Sequence, residues 1–289
     1  MIYYLLIIIA VTMFGGSFAF QDGYRKLRGS AFKVSQQYAL TGGIGGLILL
    51  FIINGVSLKF TPFTVIMATV SSINGLLFGW CAFMALGKTN LSVFSLFSML
   101  GGMVLPFLQG IIFYHEPLTL AKGICFVLIV VALLITVNKG DKNGGFIYYA
   151  GIFVFNGMSG VITKIFTSAN FEKASATDYS IWATIVGIVI SAVMLLTIFR
   201  RKQPEEKPQT LLSETLCVAS GVLNKVANLL LVIALAHVDA SVQYPMVTGG
   251  VMIISTVISL FSKNKPTIKQ VISVGVAFIG LLALFLIPV

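Results

Sequence analysis

Charge is what this sequence has least of. Only 10% of its residues are Asp, Glu, Lys or Arg, where a soluble domain carries roughly a quarter. So thin a polar complement cannot cover a water-soluble globule of 289 residues. With a mean hydropathy of +1.00, the solvent this chain requires is lipid. Acidic groups are scarcer than basic ones, nine against nineteen. Asp22, Glu116, Asp141, Glu172, Asp178, Glu205, Glu206, Glu214 and Asp239 all fall in loops or at the ends of apolar runs, so no carboxylate dyad forms at one membrane depth. Cys81, Cys125 and Cys217 sit inside apolar runs without a CxxC or Cys/His spacing, which reads as buried free thiols. With only His115 and His237 besides, neither a metal site nor a nucleophile–base pair is visible, and neither an enzyme nor a bound cofactor is expected. The first residues lack a basic n-region and a cleavage site, so they read as a first span and not as a removable signal.

What is present is a series of ten apolar runs, each near the ~20 residues that cross a bilayer. They are placed at 2–20, 35–54, 64–86, 92–113, 119–138, 146–168, 178–199, 213–236, 241–261 and 268–288. Most connections are short, which makes sequence neighbours antiparallel and leaves no room for a domain outside the membrane. The expected class is all-α integral membrane, multi-pass, in the cell (cytoplasmic) membrane. The bilayer is the first expected partner and nucleic acid is not expected; a small-molecule substrate, with a coupling proton or ion, is expected only if the features below make the chain a carrier.

One stretch occurs twice. Residues 85–117 read ALGKTNLSVFSLFSMLGGMVLPFLQGIIFYHEP and residues 234–266 read ALAHVDASVQYPMVTGGVMIISTVISLFSKNKP. Aligned without a gap they share Ala85/Ala234, Leu86/Leu235, Ser92/Ser241, Val93/Val242, Gly101/Gly250, Met103/Met252 and Pro117/Pro266. Repetition at half the chain length indicates duplication, here of five spans, with halves at 1–140 and 141–289 joined by the polar turn NKGDKNGG at 138–145. An odd number of spans inverts the second copy relative to the first. Ten transmembrane helices as two inverted five-helix repeats are therefore expected.

Loop charges support the inversion independently. Loops 1/2, 3/4, 5/6, 7/8 and 9/10 hold fourteen of the basic residues, while Lys59, Lys122, Lys164 and Lys173 lie on the other side and Lys225 within a span. In each repeat-related loop pair the member on the basic side is the richer in Lys and Arg. The positive-inside rule puts both termini outside.

Polar groups in lipid are expensive and mark sites or helix contacts. Span 8 carries Cys217, Ser220, Gly221, Asn224, Lys225 and Asn228 as one stripe. Lys225 is about 18 Å from either end at 1.5 Å per residue, beyond the reach of its stem. Such a lysine takes an anionic group, faces backbone carbonyls, or loses its proton. Asn74 on span 3 aligns approximately with Asn224, and the two amides line one site or bond neighbouring helices. Tyr244 on span 9 and Asn156 on span 6 complete the candidate substrate-binding set of Asn74, Asn156, Asn224, Lys225 and Tyr244. Pro106 removes a backbone donor and is expected to kink span 4. Trp80 and Trp182 read as packing or interface residues, and the polar stretch at 200–210 as a solvated loop.

Ala85-Leu86, Ser92 to Ser95, Gly101 to Pro106, Glu116-Pro117-Leu118-Thr119 and Gly123 together resemble the drug/metabolite transporter (DMT) superfamily in its ten-span, EamA-like form. The stretch from Tyr244 is similar to a helix of the small multidrug-resistance exporters, with Tyr244 at their substrate-facing tyrosine. The resemblance implies a secondary transporter working by alternating access. Span 1 has no acidic residue, unlike those exporters, and the long form of the family keeps its termini in the cytoplasm, opposite to the loop charges here. The lysine and amides favour a small polar metabolite, amino-acid-like and zwitterionic or anionic. A multidrug or cation exporter, a flippase-type subunit and a membrane scaffold are the alternatives.

Overall fold

The computed structural model describes residues 2–29, 31–86, 91–135, 146–198, 207–260 and 267–287. The turn expected at 138–145, residues 200–206 of the polar loop, Lys88, Lys263 and Lys265 lie outside the described residues, as do the side chains of Trp80, Ser92, Ser95 and Ser259. The described chain folds into ten helices: α1 (Ile2–Arg28), α2 (Phe32–Ile53), α3 (Pro62–Leu86), α4 (Leu91–Tyr114), α5 (Leu120–Ile135), α6 (Phe146–Ser168), α7 (Ala176–Ile198), α8 (Leu211–Leu235), α9 (Ala240–Leu260) and α10 (Ile268–Leu286). Nine of them are long and apolar enough to cross a membrane. α5 is described over 16 residues, and the span expected there, 119–138, runs on into residues outside the description.

Local chemistry sets the helix ends. α1 extends eight residues beyond the expected span, because Arg25, Lys26 and Arg28 occupy its last turn and complement the negative end of the helix dipole. Asp22 supports them, 3.1 Å from Arg25 and 2.5 Å from Lys26. Gly29 then takes φ +98°, the left-handed conformation that glycine adopts without a Cβ penalty. Thr210 and Thr267 begin α8 and α10 with reciprocal capping boxes to Ser213 and Gln270, each satisfying otherwise orphaned donors. α4 continues as a helix through Pro106, which is fully buried.

The outward faces are apolar, with Ile66, Val127, Leu196 and Phe285 all more than half exposed. Backbone groups are meanwhile paired within the helices, as hydrocarbon demands. Cys81, Cys125 and Cys217 are buried free thiols.

Small residues decide how the helices meet. A Cβ on Gly221 would lie 2.2 Å from the Gly42 carbonyl oxygen, and one on Gly46 would lie 2.5 Å from Lys225 Cγ. α2 and α8 therefore run parallel in backbone contact. α4 and α6 are also parallel, since Gly101 meets Phe153 and Gly160 meets Pro106. So are α1 and α9, through Val11 against Gly250 and Gly15 against Ile254, and α3 and α7, whose Ser72 donates to Ala183 O at 2.8 Å. Antiparallel pairs are α1 with α8, through Gly23 against Leu216 and Gly16 against Leu223, and α3 with α6, through Phe63 on Phe166 and Cys81 on Gly151. α5 with α10 is antiparallel too, joined by Ser273 Oγ to Ala132 O at 2.6 Å and by Gly280 against Leu128. Every one of these directions is what successive crossings of one membrane produce.

Candidate functional site

The five candidate residues divide between two places. Asn74, Asn156 and Tyr244 converge on two adjoining turns of α6. Asn74 Nδ2 donates to Phe155 O at 2.8 Å and to Ser159 Oγ at 2.9 Å. Asn156, on α6 itself, donates from Nδ2 to Ser98 O at 2.5 Å and Ser98 Oγ at 3.2 Å on α4. The Tyr244 hydroxyl donates to Gly160 O at 3.0 Å, and its ring fills the space that a Cβ on Gly160 would need. These three polar groups fasten α3, α4 and α9 to α6. The approximate alignment of Asn74 with Asn224 does not bring the two amides together in any described contact.

Asn224 and Lys225 lie apart, on α8. The polar stripe of that helix proves to have two sections with different work. Toward its start, Ser220 Oγ donates to Ser17 O at 2.7 Å and shares a 2.6 Å hydrogen bond with Tyr38 OH. Cys217 Sγ reaches Tyr38 O at 3.5 Å. Both residues are fully buried and Gly221 touches Gly42, so this section is helix packing.

One turn on, the stripe opens. Asn224 and Lys225 are half-buried and Asn228 is exposed. Asn228 Nδ2 donates to Asn224 O at 2.8 Å and to Asn224 Oδ1 at 3.0 Å. The Lys225 stem lies along Gly46 of α2. Among the described residues its ammonium has no ion pair. Two amides and an ammonium, half-buried to exposed midway along a helix, can together hold a carboxylate or phosphate oxygen and a neighbouring polar substituent.

A second polar assembly was not singled out as a site by sequence reasoning. Glu116, between α4 and α5, is 2.8 Å from Lys164 of α6, and both side chains are less than a tenth exposed. The same carboxylate accepts the backbone N–H groups of Ala240 and Ser241, each at 2.9 Å, at the start of α9. Burial alone would raise the Glu116 carboxyl, but the Lys164 ammonium and these α9 amides outweigh it and hold it below the usual carboxylate range. Beside it, Lys122 Nζ pairs with Asp239 at 2.7 Å and donates to Pro117 O at 2.9 Å. The available signal was Lys164, a lysine inside an apolar run, since such a group requires an acidic partner or a cavity.

Trp182 behaves as a packing residue, donating from Nε1 to Lys59 O at 3.1 Å with an edge-to-face contact to Phe60. Asp178 anchors the same loop by accepting from Asn54 Nδ2 at 2.8 Å and Lys59 N at 3.0 Å.

Among the described residues, ten helices, nine of them apolar over membrane-spanning lengths, define a multi-pass integral membrane protein of the all-α class. No family model and no curated protein matches the sequence. In structure it is similar to a solved chain described as "Crystal structure of protein", with a TM-score of 0.74 over 98% of each chain at 16% identity. At that identity the likeness concerns the fold alone.

Proposed function

We propose that this protein is a secondary transporter that moves a small polar metabolite, amino-acid-like and zwitterionic or anionic, by alternating access. The observation that carries the reading is Lys225. It stands midway along α8, half-buried and without an acidic partner among the described residues, next to Asn224 and exposed Asn228. A partly exposed lysine and an exposed asparagine at that depth are costly against lipid, which favours a water-filled surface that receives substrate. Lys225 takes the anionic group, and Asn224 orients polar substituents. Tyr244, Asn156 and Asn74 lie apart from this site, on the α6 seam.

The second support is the pairing of helices. Adding five to the number of each helix turns α1 with α8 into α6 with α3, α2 with α8 into α7 with α3, and α4 with α6 into α9 with α1. Each exchanged pair keeps its parallel or antiparallel sense, as two inverted five-helix halves require. We read the chain accordingly, as a ten-span protein of the drug/metabolite transporter type with both termini outside.

The test is thermal stabilisation by a panel of amino acids, carboxylates, phosphates and lipophilic cations, on the wild type and on Lys225→Ala. Anionic or zwitterionic compounds should raise the melting temperature of the wild type and leave the variant unmoved. Equal stabilisation of both proteins, or stabilisation by cations alone, removes this role for Lys225.

A further inference from the structure

We infer that the buried Glu116–Lys164 pair, seated on the start of α9, is the latch of a gate at the end of the protein formed by residues 114–119. This inference rests on the carrier reading above.

The latch joins the two halves. Glu116 and Lys122 belong to the first half, Lys164, Asp239, Ala240 and Ser241 to the second. Glu116 binds Lys164 on α6 and two amides on α9 with one carboxylate, while Lys122 with Asp239 makes a second crossing beside it. The latch also lies directly over the candidate seam. Lys164 is one helical turn beyond Gly160 along α6, and Ser241 is three residues before Tyr244 along α9. Gly160 and Tyr244 are themselves hydrogen-bonded. A solute entering the α4–α6–α9 seam from this end must pass the pair.

Among the described residues this tie has no counterpart at the other end, and the sequence offers none in the second copy. In the ungapped repeat, Glu116 corresponds to Lys265, Lys122 to Val271 and Asp239 to Asn90, and α1 has no charged residue before Asp22. The second copy cannot present a carboxylate to a helix start. An ionic tie whose members are not repeated in the other half fits a gate better than a general stabiliser.

The tie is poised and not inert. Its charges are well placed only together in the dry state or apart in water, because separating them within the interior leaves each uncompensated. Two such arrangements are what a switching element needs. Closure also leaves costs that opening relieves. Gln109, beside Gly110, keeps its Oε1 buried without a hydrogen bond, and entering water would satisfy it. His115 is held at φ +52°, a strained value for a residue with a Cβ. That turn folds Glu116 back over Gly110, where any Cβ would lie 2.4 Å from Oε2. The remaining groups around the pair are Tyr114, whose ring centroid is 5.2 Å from the Lys164 ammonium, and the Lys122–Asp239 pair.

Labelling of Ser241→Cys by a membrane-impermeant maleimide, in sealed vesicles of each orientation, tests the latch. Ser241 is fully buried, and the unsubstituted protein with its three buried cysteines gives the blank. The Ser241→Cys variant by itself should label slowly. Adding Lys164→Gln or Glu116→Gln should speed labelling about tenfold, from one face only, the change given by about 1.4 kcal/mol toward the open form. The exchange E116K/K164E should stay fast, because a lysine at 116 would meet two amide donors of α9.

Should Glu116→Gln fail to fold, Lys164→Gln carries the test, since it leaves the amide contacts of Glu116 in place. A Lys164→Gln protein that melts lower yet labels no faster than its parent has lost a static clamp, and the inference is overturned. Labelling that rises equally from both faces reports unfolding and overturns it as well. The carrier reading fails separately. If no compound of the panel stabilises the wild type, that reading falls whatever the latch does. If ligands bind while labelling is unchanged, only the latch falls.

Discussion

Replacing Gly221 by alanine tests the architecture at its tightest point. The added Cβ would sit 2.2 Å from the Gly42 carbonyl oxygen and 2.4 Å from Gly42 Cα, where ordinary contact begins at 3.4 Å. Both obstructing atoms are backbone, so no side chain can swing aside. α2 and α8 must therefore part by about 1 Å, the scale at which packed interiors lose a large share of their contact energy. Overpacking of this kind costs about 1–3 kcal/mol. The displacement also stretches the hydrogen bond between Tyr38 of α2 and Ser220 of α8, worth about 0.6 kcal/mol in a membrane protein. A total near 3 kcal/mol is expected, read by denaturant titration of the purified protein in mixed micelles. Gly75→Ala and Gly123→Ala supply the controls, because a Cβ at either position meets nothing within 4 Å. If Gly221→Ala unfolds at the same denaturant concentration as those controls, the backbone contact is not what holds α2 to α8, and the reasoning fails.

Two further predictions follow from charge. The Glu116 carboxyl is held below its ordinary value, so the stability it contributes is present above the ordinary carboxylate range and lost as pH falls through its folded value. The melting-temperature gap between wild type and Glu116→Gln should accordingly be constant near neutrality and close below about pH 4; a gap that persists at lower pH refutes the linkage. For topology, Lys26→Cys and Lys59→Cys are suitable reporters because both lysines are exposed, whereas Arg28 is buried and bonded to Gln37 and Lys207. They should label from opposite faces, position 59 from outside, and labelling from one face alone contradicts the assigned crossings.

The helices were legible in the sequence because lipid imposes one rule on every span. An apolar run near twenty residues must be helical, and nine of the ten runs appear as helices long enough to cross. The end of α1 was not legible by hydropathy, since Arg25, Lys26 and Arg28 look like a loop and act as a helix terminus. Periodicity located the polar stripe of α8 but not its division. Ser220 and Gly221 are buried against α1 and α2, whereas Asn224 and Lys225 are only half-buried, Lys225 with its stem on Gly46 of α2, and Asn228 is exposed; spacing along one helix cannot reveal what the other helices cover. The Glu116–Lys164 pair was hidden for a related reason. Its members are 48 positions apart, in a loop and near a helix end, and only the folding of residues 114–119 back over Gly110 unites them.

The central claim, a carrier whose substrate is held by Lys225, is tested most directly by counterflow. Proteoliposomes loaded with the amino acid or carboxylate that stabilises the wild type best would be diluted into a trace of the same compound in labelled form. Transient accumulation of label, without nucleotide, is expected in vesicles bearing the wild type and is expected to be lost with Lys225→Ala. A compound that binds through Lys225 yet never exchanges across the bilayer would contradict it.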